Sequence, residues 1–211
     1  MALEPETIEK EIKADKWEKF WNTYKWIITT VVVIIIIAFG FFQYSQSSAK
    51  KSSEVASQIY QEIITINIDN TELIRAGVFK LKDSHSDTPY SSRGAIFLSR
   101  SLAFKNMNDE AIAELIWAAD NSIEKSIQSL ALYSLSNIYL ISKNLEDAMT
   151  TANKISTPGY IGLKNDLLGD IYMGSNDKEK ARISYGAALN FYQNKSELAK
   201  VIQTKIDAIG Q

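Results

Sequence analysis

The sequence predicts an all-α protein. One membrane-crossing helix near the N-terminus precedes an α-solenoid of antiparallel helix pairs, closed by a C-terminal capping helix. Three observations predict this. Residues 26–42, WIITTVVVIIIIAFGFF, carry no charge. A six-position pattern occurs three times, at offsets of 37 and then 33 residues. Gly (9) and Pro (3) are scarce among 211 residues, leaving long stretches free to be helical.

Residues 1–25 form a charged tail. Pro5 suits a first helical turn, and Ile8, Ile12, Phe20 and Tyr24 fall near one face, with Trp17 and Trp21 beside it. Residues 26–42 would span roughly 25 Å as a helix, close to the lower limit for a hydrocarbon core. The β-branched run Val31 to Ile37 would suit a buried strand in water, but a stretch this apolar on all sides favours a membrane helix. Trp17, Phe20, Trp21, Tyr24 and Trp26 before it, and Tyr44 after it, suit the headgroup layers. A buried core helix and a signal peptide cleaved near Ser47-Ser48-Ala49 are the alternatives. The long polar lead-in and the long aromatic run favour an uncleaved signal anchor. Lys13, Lys16, Lys19 and Lys25 before the run, against Lys50 and Lys51 after it, place the tail in the cytoplasm and the rest in a bacterial periplasm. The bias is modest, so the inverted topology stays open.

Composition narrows the function. Net charge is -2 and the pI is about 5.6, without the clustered positive excess that nucleic acid requires. Cysteine is absent and there is one histidine, His85. Disulfides, thiolate or multi-histidine metal sites and a Cys nucleophile are thereby excluded. No phosphate-binding or dinucleotide glycine motif is present, so no cofactor is expected. His85, in the polar loop KDSHSDTPY, reads as an exposed loop residue rather than part of a triad, and no catalytic residue is assigned.

Residues 43–53, with five serines, are a spacer or a helical extension of the anchor, and 54–211 form the outer domain. Ile59, Ile63 and Ile66 mark a helix over about 54–68; Leu73, Ile74, Val78, Phe79 and Leu81 mark the next. The repeats follow near 93–121, 130–156 and 163–191. Leu98, Leu135 and Leu168 open them, each followed by a small residue: Ser99, Ser136, Gly169. Next come Leu102, Tyr139 and Tyr172, then Ala111, Ala148 and Ala181. Leu115, Ala152 and Tyr185, then Ala118, Ile155 and Ala188, complete the pattern. This is tetratricopeptide spacing: the small residue and the alanine let two helices cross closely, and each pair leaves an apolar face for the next. Asn- and Gly-bearing turns at 105–109, 142–144 and 174–177 separate the helices within each pair. Residues 196–209, from the candidate N-cap Ser196 to a stop at Gly210, form the capping helix. A non-repeating helical bundle is the alternative.

The tail segment IKADKWEKFWNTY (12–24), the stretch ASQIY (56–60), and LLGDIY (167–172) with Asp177-Lys178, Ala181-Arg182 and Tyr185 resemble the YfgM-like family, the ancillary subunit of the SecYEG translocon. The resemblance implies a single-pass inner-membrane protein with a periplasmic repeat domain, contacting the translocon and periplasmic chaperones. It implies no catalytic residues. Scaffolds for envelope assembly or cell division are the alternative, and a tethered enzyme is a more distant one.

Such stacks bind partner segments along the face lined by the first helix of each pair. The register puts Arg93, Ile96, Arg100, Tyr133, Asn137, Leu140, Asp166, Asp170 and Met173 there, with Arg100, Asn137 and Asp170 equivalent. The expected face runs from basic at the first repeat to acidic at the third. Asp166 and Asp170, four residues apart, read as a solvated helix surface rather than a metal site.

Overall fold

A computed structural model describes residues 5–192 and 197–210, with side chains from Lys16 onward. Ser196 and the side chains of Ile8 and Ile12 lie outside the described residues. Nine α-helices are described: α1 Pro5–Thr65, α2 Thr71–Ser84, α3 Pro89–Phe104, α4 Asn108–Asn121, α5 Lys125–Ile141, α6 Leu145–Asn153, α7 Ile161–Gly174, α8 Lys178–Phe191 and α9 Glu197–Ile209, with a 3-10 turn at Pro158–Tyr160. Contacts divide the chain into two units, Met1–Lys51 and Ser52–Gln211.

From Lys16 to Lys51 the first unit is helical with its apolar side chains outward. Ile34 to Ile37 are 59–65% exposed, and Trp26 and Phe41 more than 70%. Such a surface is stable only against another apolar medium. Thr29 donates its hydroxyl to the Lys25 carbonyl and Thr30 to that of Trp26, both at 2.7 Å, so neither hydroxyl needs water. The stretch is long and apolar enough to cross a membrane. Trp17, Phe20 and Tyr24 stack along one face, with ring centres 5.7 and 4.9 Å apart.

In the second unit α3–α4, α5–α6 and α7–α8 are the three repeat pairs, and the first helices also touch in succession, α3 with α5 and α5 with α7. Residues 43–53 belong to α1. The helix expected over 54–68 ends at Thr65, because Asn67, Asp69 and Asn70 compete for the backbone there; the Asp69 amide donates to the Asn67 side chain at 3.4 Å. Ala56 and Ile63 of α1 are buried with Ile74, Val78 and Leu81 of α2 in the core that also holds α3 to α5.

Most pattern positions are buried as the spacing predicts, and Tyr139, Leu168 and Tyr172 are partly buried. Ala111, Ala148 and Ala181 are fully buried. A Cβ added at Gly169 would run into the Tyr185 ring, which is why the small residue is needed. Where Ser replaces Gly its hydroxyl is used: Ser136 donates to the Ala148 carbonyl of the facing helix at 2.7 Å, and Ser99 to Ile96 of its own helix at 2.7 Å.

The three intra-pair turns share one geometry. Asn106, Lys143 and Asn176 each take a left-handed backbone, with φ of 61, 60 and 62°. The following amide closes back on the helix just ended: Met107 to Leu102, Asn144 to Tyr139 and Asp177 to Tyr172, each at 2.9 Å. These are Schellman stops. The same following residue then caps the second helix. Asn144 and Asp177 accept from the amides of Asp147 and Lys180, whereas Met107 has no acceptor to offer.

His85 departs from the exposed reading. It is half-buried, and its Nδ1 lies 2.9 Å from the Ser52 hydroxyl, because the loop folds back against α1.

Candidate partner-binding face

The first repeat brings three of the nine register residues together. Arg93, Ile96 and Arg100 line a pocket of about 300 Å³ with Tyr60 of α1, Phe97 of α3, and Ile127 and Leu130 of α5. Ile96 is only 7% exposed, so it forms the floor rather than an open contact. The Arg93 guanidinium binds Glu124 at 3.0 Å and sits over the Tyr90 ring, 5.8 Å from its centre. Its Nε is buried without a hydrogen-bond partner. Arg100 is exposed and makes no ion pair among the described residues.

Tyr60, Phe97, Ile127 and Leu130 were missed by the repeat register. Phe97 had a signal, since Arg93, Phe97 and Arg100 share one helix stripe. Tyr60 had none, because it precedes the repeats.

The second repeat contributes side chains tied to the fold. Tyr133 packs against two core clusters, and Leu140 against the cluster of Ala148, Ala152, Leu167 and Ile171. The Asn137 amide donates to the Tyr133 carbonyl at 2.9 Å. Met173 of the third repeat is exposed.

The third repeat differs most from a solvated acidic surface. Lys205 of α9 donates to Asp166 and to Asp170, each at 2.8 Å. The Tyr185 hydroxyl donates to the other Asp170 oxygen at 2.6 Å, and the Lys205 ammonium lies 5.3 Å from the Tyr185 ring centre. Burial pushes the Asp166 carboxyl above its ordinary value, with Lys205 pulling the other way. Burial disfavours the Lys205 ammonium, but its bonds to Asp166 and Asp170 outweigh that and raise its pKa. Burial, then the bond to Asp170, raises the Tyr185 phenol. Lys205 therefore offsets one of the two carboxylates and ties both to the fold, while the open positive charge of the face is at Arg100.

This arrangement can hold a segment of another chain by apolar contact and one charge. Among the described residues no group of three or more His, Asp or Glu is placed to hold a metal ion.

Residues 18–211 match the family model described as tetratricopeptide repeat-like domain. The chain belongs to that family. The tetratricopeptide repeat-like match covers the end of the tail, the apolar stretch and all three helix pairs. Three relatives are each named ancillary SecYEG translocon subunit. That of Haemophilus influenzae is 22% identical over 183 residues, 86% of this chain and 89% of its own. That of Aggregatibacter actinomycetemcomitans is 25% identical over 187 residues, with the same shares. That of Escherichia coli K12 is 21% identical over 166 residues, 79% of this chain and 80% of its own. These relatives support placing the chain with the YfgM-like proteins inside the tetratricopeptide repeat-like family.

Proposed function

We propose that this protein is a membrane-anchored protein–protein interaction scaffold of the bacterial inner membrane, acting as an ancillary subunit of the SecYEG translocon. The observation that carries this is the extent of the likeness. Relatives of that name match over four fifths or more of their own length, and the family match spans the apolar helix and the repeats. On this reading the tail is cytoplasmic, following the lysine bias, and the repeat domain is periplasmic, where it meets translocon subunits and chaperones receiving exported chains. Its work is to hold other proteins, with no chemistry of its own.

Photocrosslinking in cells tests the reading. A photoreactive residue at Asn137 or Met173 is expected to give adducts with translocon subunits, and Arg100→Glu is expected to reduce them. Asp170 is unsuited to charge reversal, since it holds Lys205 and Tyr185. Adducts with division or envelope-assembly proteins alone, or none at all, would reject the translocon assignment.

A further inference from the structure

The pocket between α1, α3 and α5 has walls of one kind and an opening of another. Tyr60, Ile96, Phe97, Ile127 and Leu130 are apolar or aromatic, and among the described residues no carboxylate lines it. Its volume of about 300 Å³ is at the small end of ligand pockets. Arg93 and Arg100 stand two helical turns apart, roughly 10 Å, on either side of Ile96 and Phe97. Glu124 already answers Arg93 at 3.0 Å, so one positive charge stays open, at Arg100.

Resting on the reading of this face as a partner-binding surface, we propose that the pocket takes a protein segment carrying a bulky apolar side chain beside an acidic one. The apolar group sits among Tyr60, Phe97 and Leu130, and the carboxylate binds the Arg100 guanidinium. One open charge suits one carboxylate. A nucleic acid backbone needs several clustered cations, which the pocket lacks. Segments with the apolar group but no acid bind more weakly, and segments with a basic neighbour are excluded by like charge.

Panning a random-peptide phage library on the full chain in detergent micelles tests this, in parallel with Arg100→Glu. Arg100 is exposed and has no ion pair among the described residues, so the variant is expected to keep its circular dichroism spectrum. The library should enrich peptides with Asp or Glu next to Phe, Leu, Ile or Trp. Those peptides should bind Arg100→Glu about tenfold more weakly, the loss of one charge-assisted hydrogen bond. No acidic bias, or equal binding to the variant, overturns the proposal. So does displacement of the peptides in phosphatidylglycerol nanodiscs but not phosphatidylcholine ones, which would assign Arg100 to a lipid headgroup. Translocon adducts from Asn137 or Met173 without an acidic bias would reject this pocket chemistry and leave the scaffold reading standing. An acidic bias without such adducts would do the reverse.

Discussion

Residue-scale choices in this protein are mostly about backbone geometry and room for a single carbon. Asn106 and Asn176 tolerate the left-handed backbone that ends the first helix of a pair, but Lys143 occupies the same place without that tolerance. Lys143→Gly is expected to stabilise the fold by about 0.5–1 kcal/mol, the relieved strain less the extra entropy of an unfolded glycine. Urea unfolding of the full chain in detergent, followed at 222 nm, measures it. Gly169 and Gly186 make a contrasting pair in neighbouring helices. Gly169→Ala should cost about 1–3 kcal/mol, because the added carbon meets the buried Tyr185 ring. Gly186→Ala should gain about 0.5–1 kcal/mol, because nothing lies within 4 Å of its Cβ and alanine favours the helix. The two thermal melting temperatures should move in opposite directions. The spacing alone pointed to a small residue at 169; only the Tyr185 ring explains why serine suffices at 99 and 136 but glycine is kept here.

At the scale of the element, α9 is the instructive case. Its sequence suggests an apolar stripe of Leu198, Val201, Ile202, Ile206 and Ile209; Ile202 and Ile209 are buried together with Ala199, whereas Leu198 and Val201 are exposed. Its electrostatic role is not plain, since Lys205 is one lysine among many until α7 lies beside it. Lys205→Met is expected to cost about 1–3 kcal/mol; partial exposure of the three groups keeps the loss below that of a fully buried pair. The sign with pH follows from the shifts. Lys205 is raised in the folded state, so its contribution is complete below the unfolded lysine value and is lost as pH rises through the folded one. Asp166 is raised by burial even with Lys205 present and rises further without it. The variant's folded state then favours a protonated Asp166, so its deficit should be smaller at pH 5 than at pH 8. Amide hydrogen exchange in α9 at the two pH values reads this directly, and an equal deficit at both would contradict it.

For the whole molecule the division of labour is between a helix that seeks apolar surroundings and a stack that buries its own apolar faces. Ile35→Arg places a charge in the middle of the outward-facing run and should make membrane insertion about 2.5–3.5 kcal/mol less favourable. Carbonate extraction of membranes should then release a substantial share of the variant while the parent chain stays in the pellet. Retention of the variant equal to the parent would argue against residues 26–42 as the spanning segment.

By itself the sequence determined the apolar run, the helix pairs and the alanines at which helices cross, because each is a matter of spacing along one chain. Periodicity states which face of a helix is hidden. It does not state what hides it. Tertiary structure alone decided that Tyr60 joins Arg93 and Arg100 around one pocket, that Lys205 closes over Asp166 and Asp170, and that His85 meets Ser52. Each of those meetings joins residues more than thirty positions apart, and their partners are set by how helices stack in space.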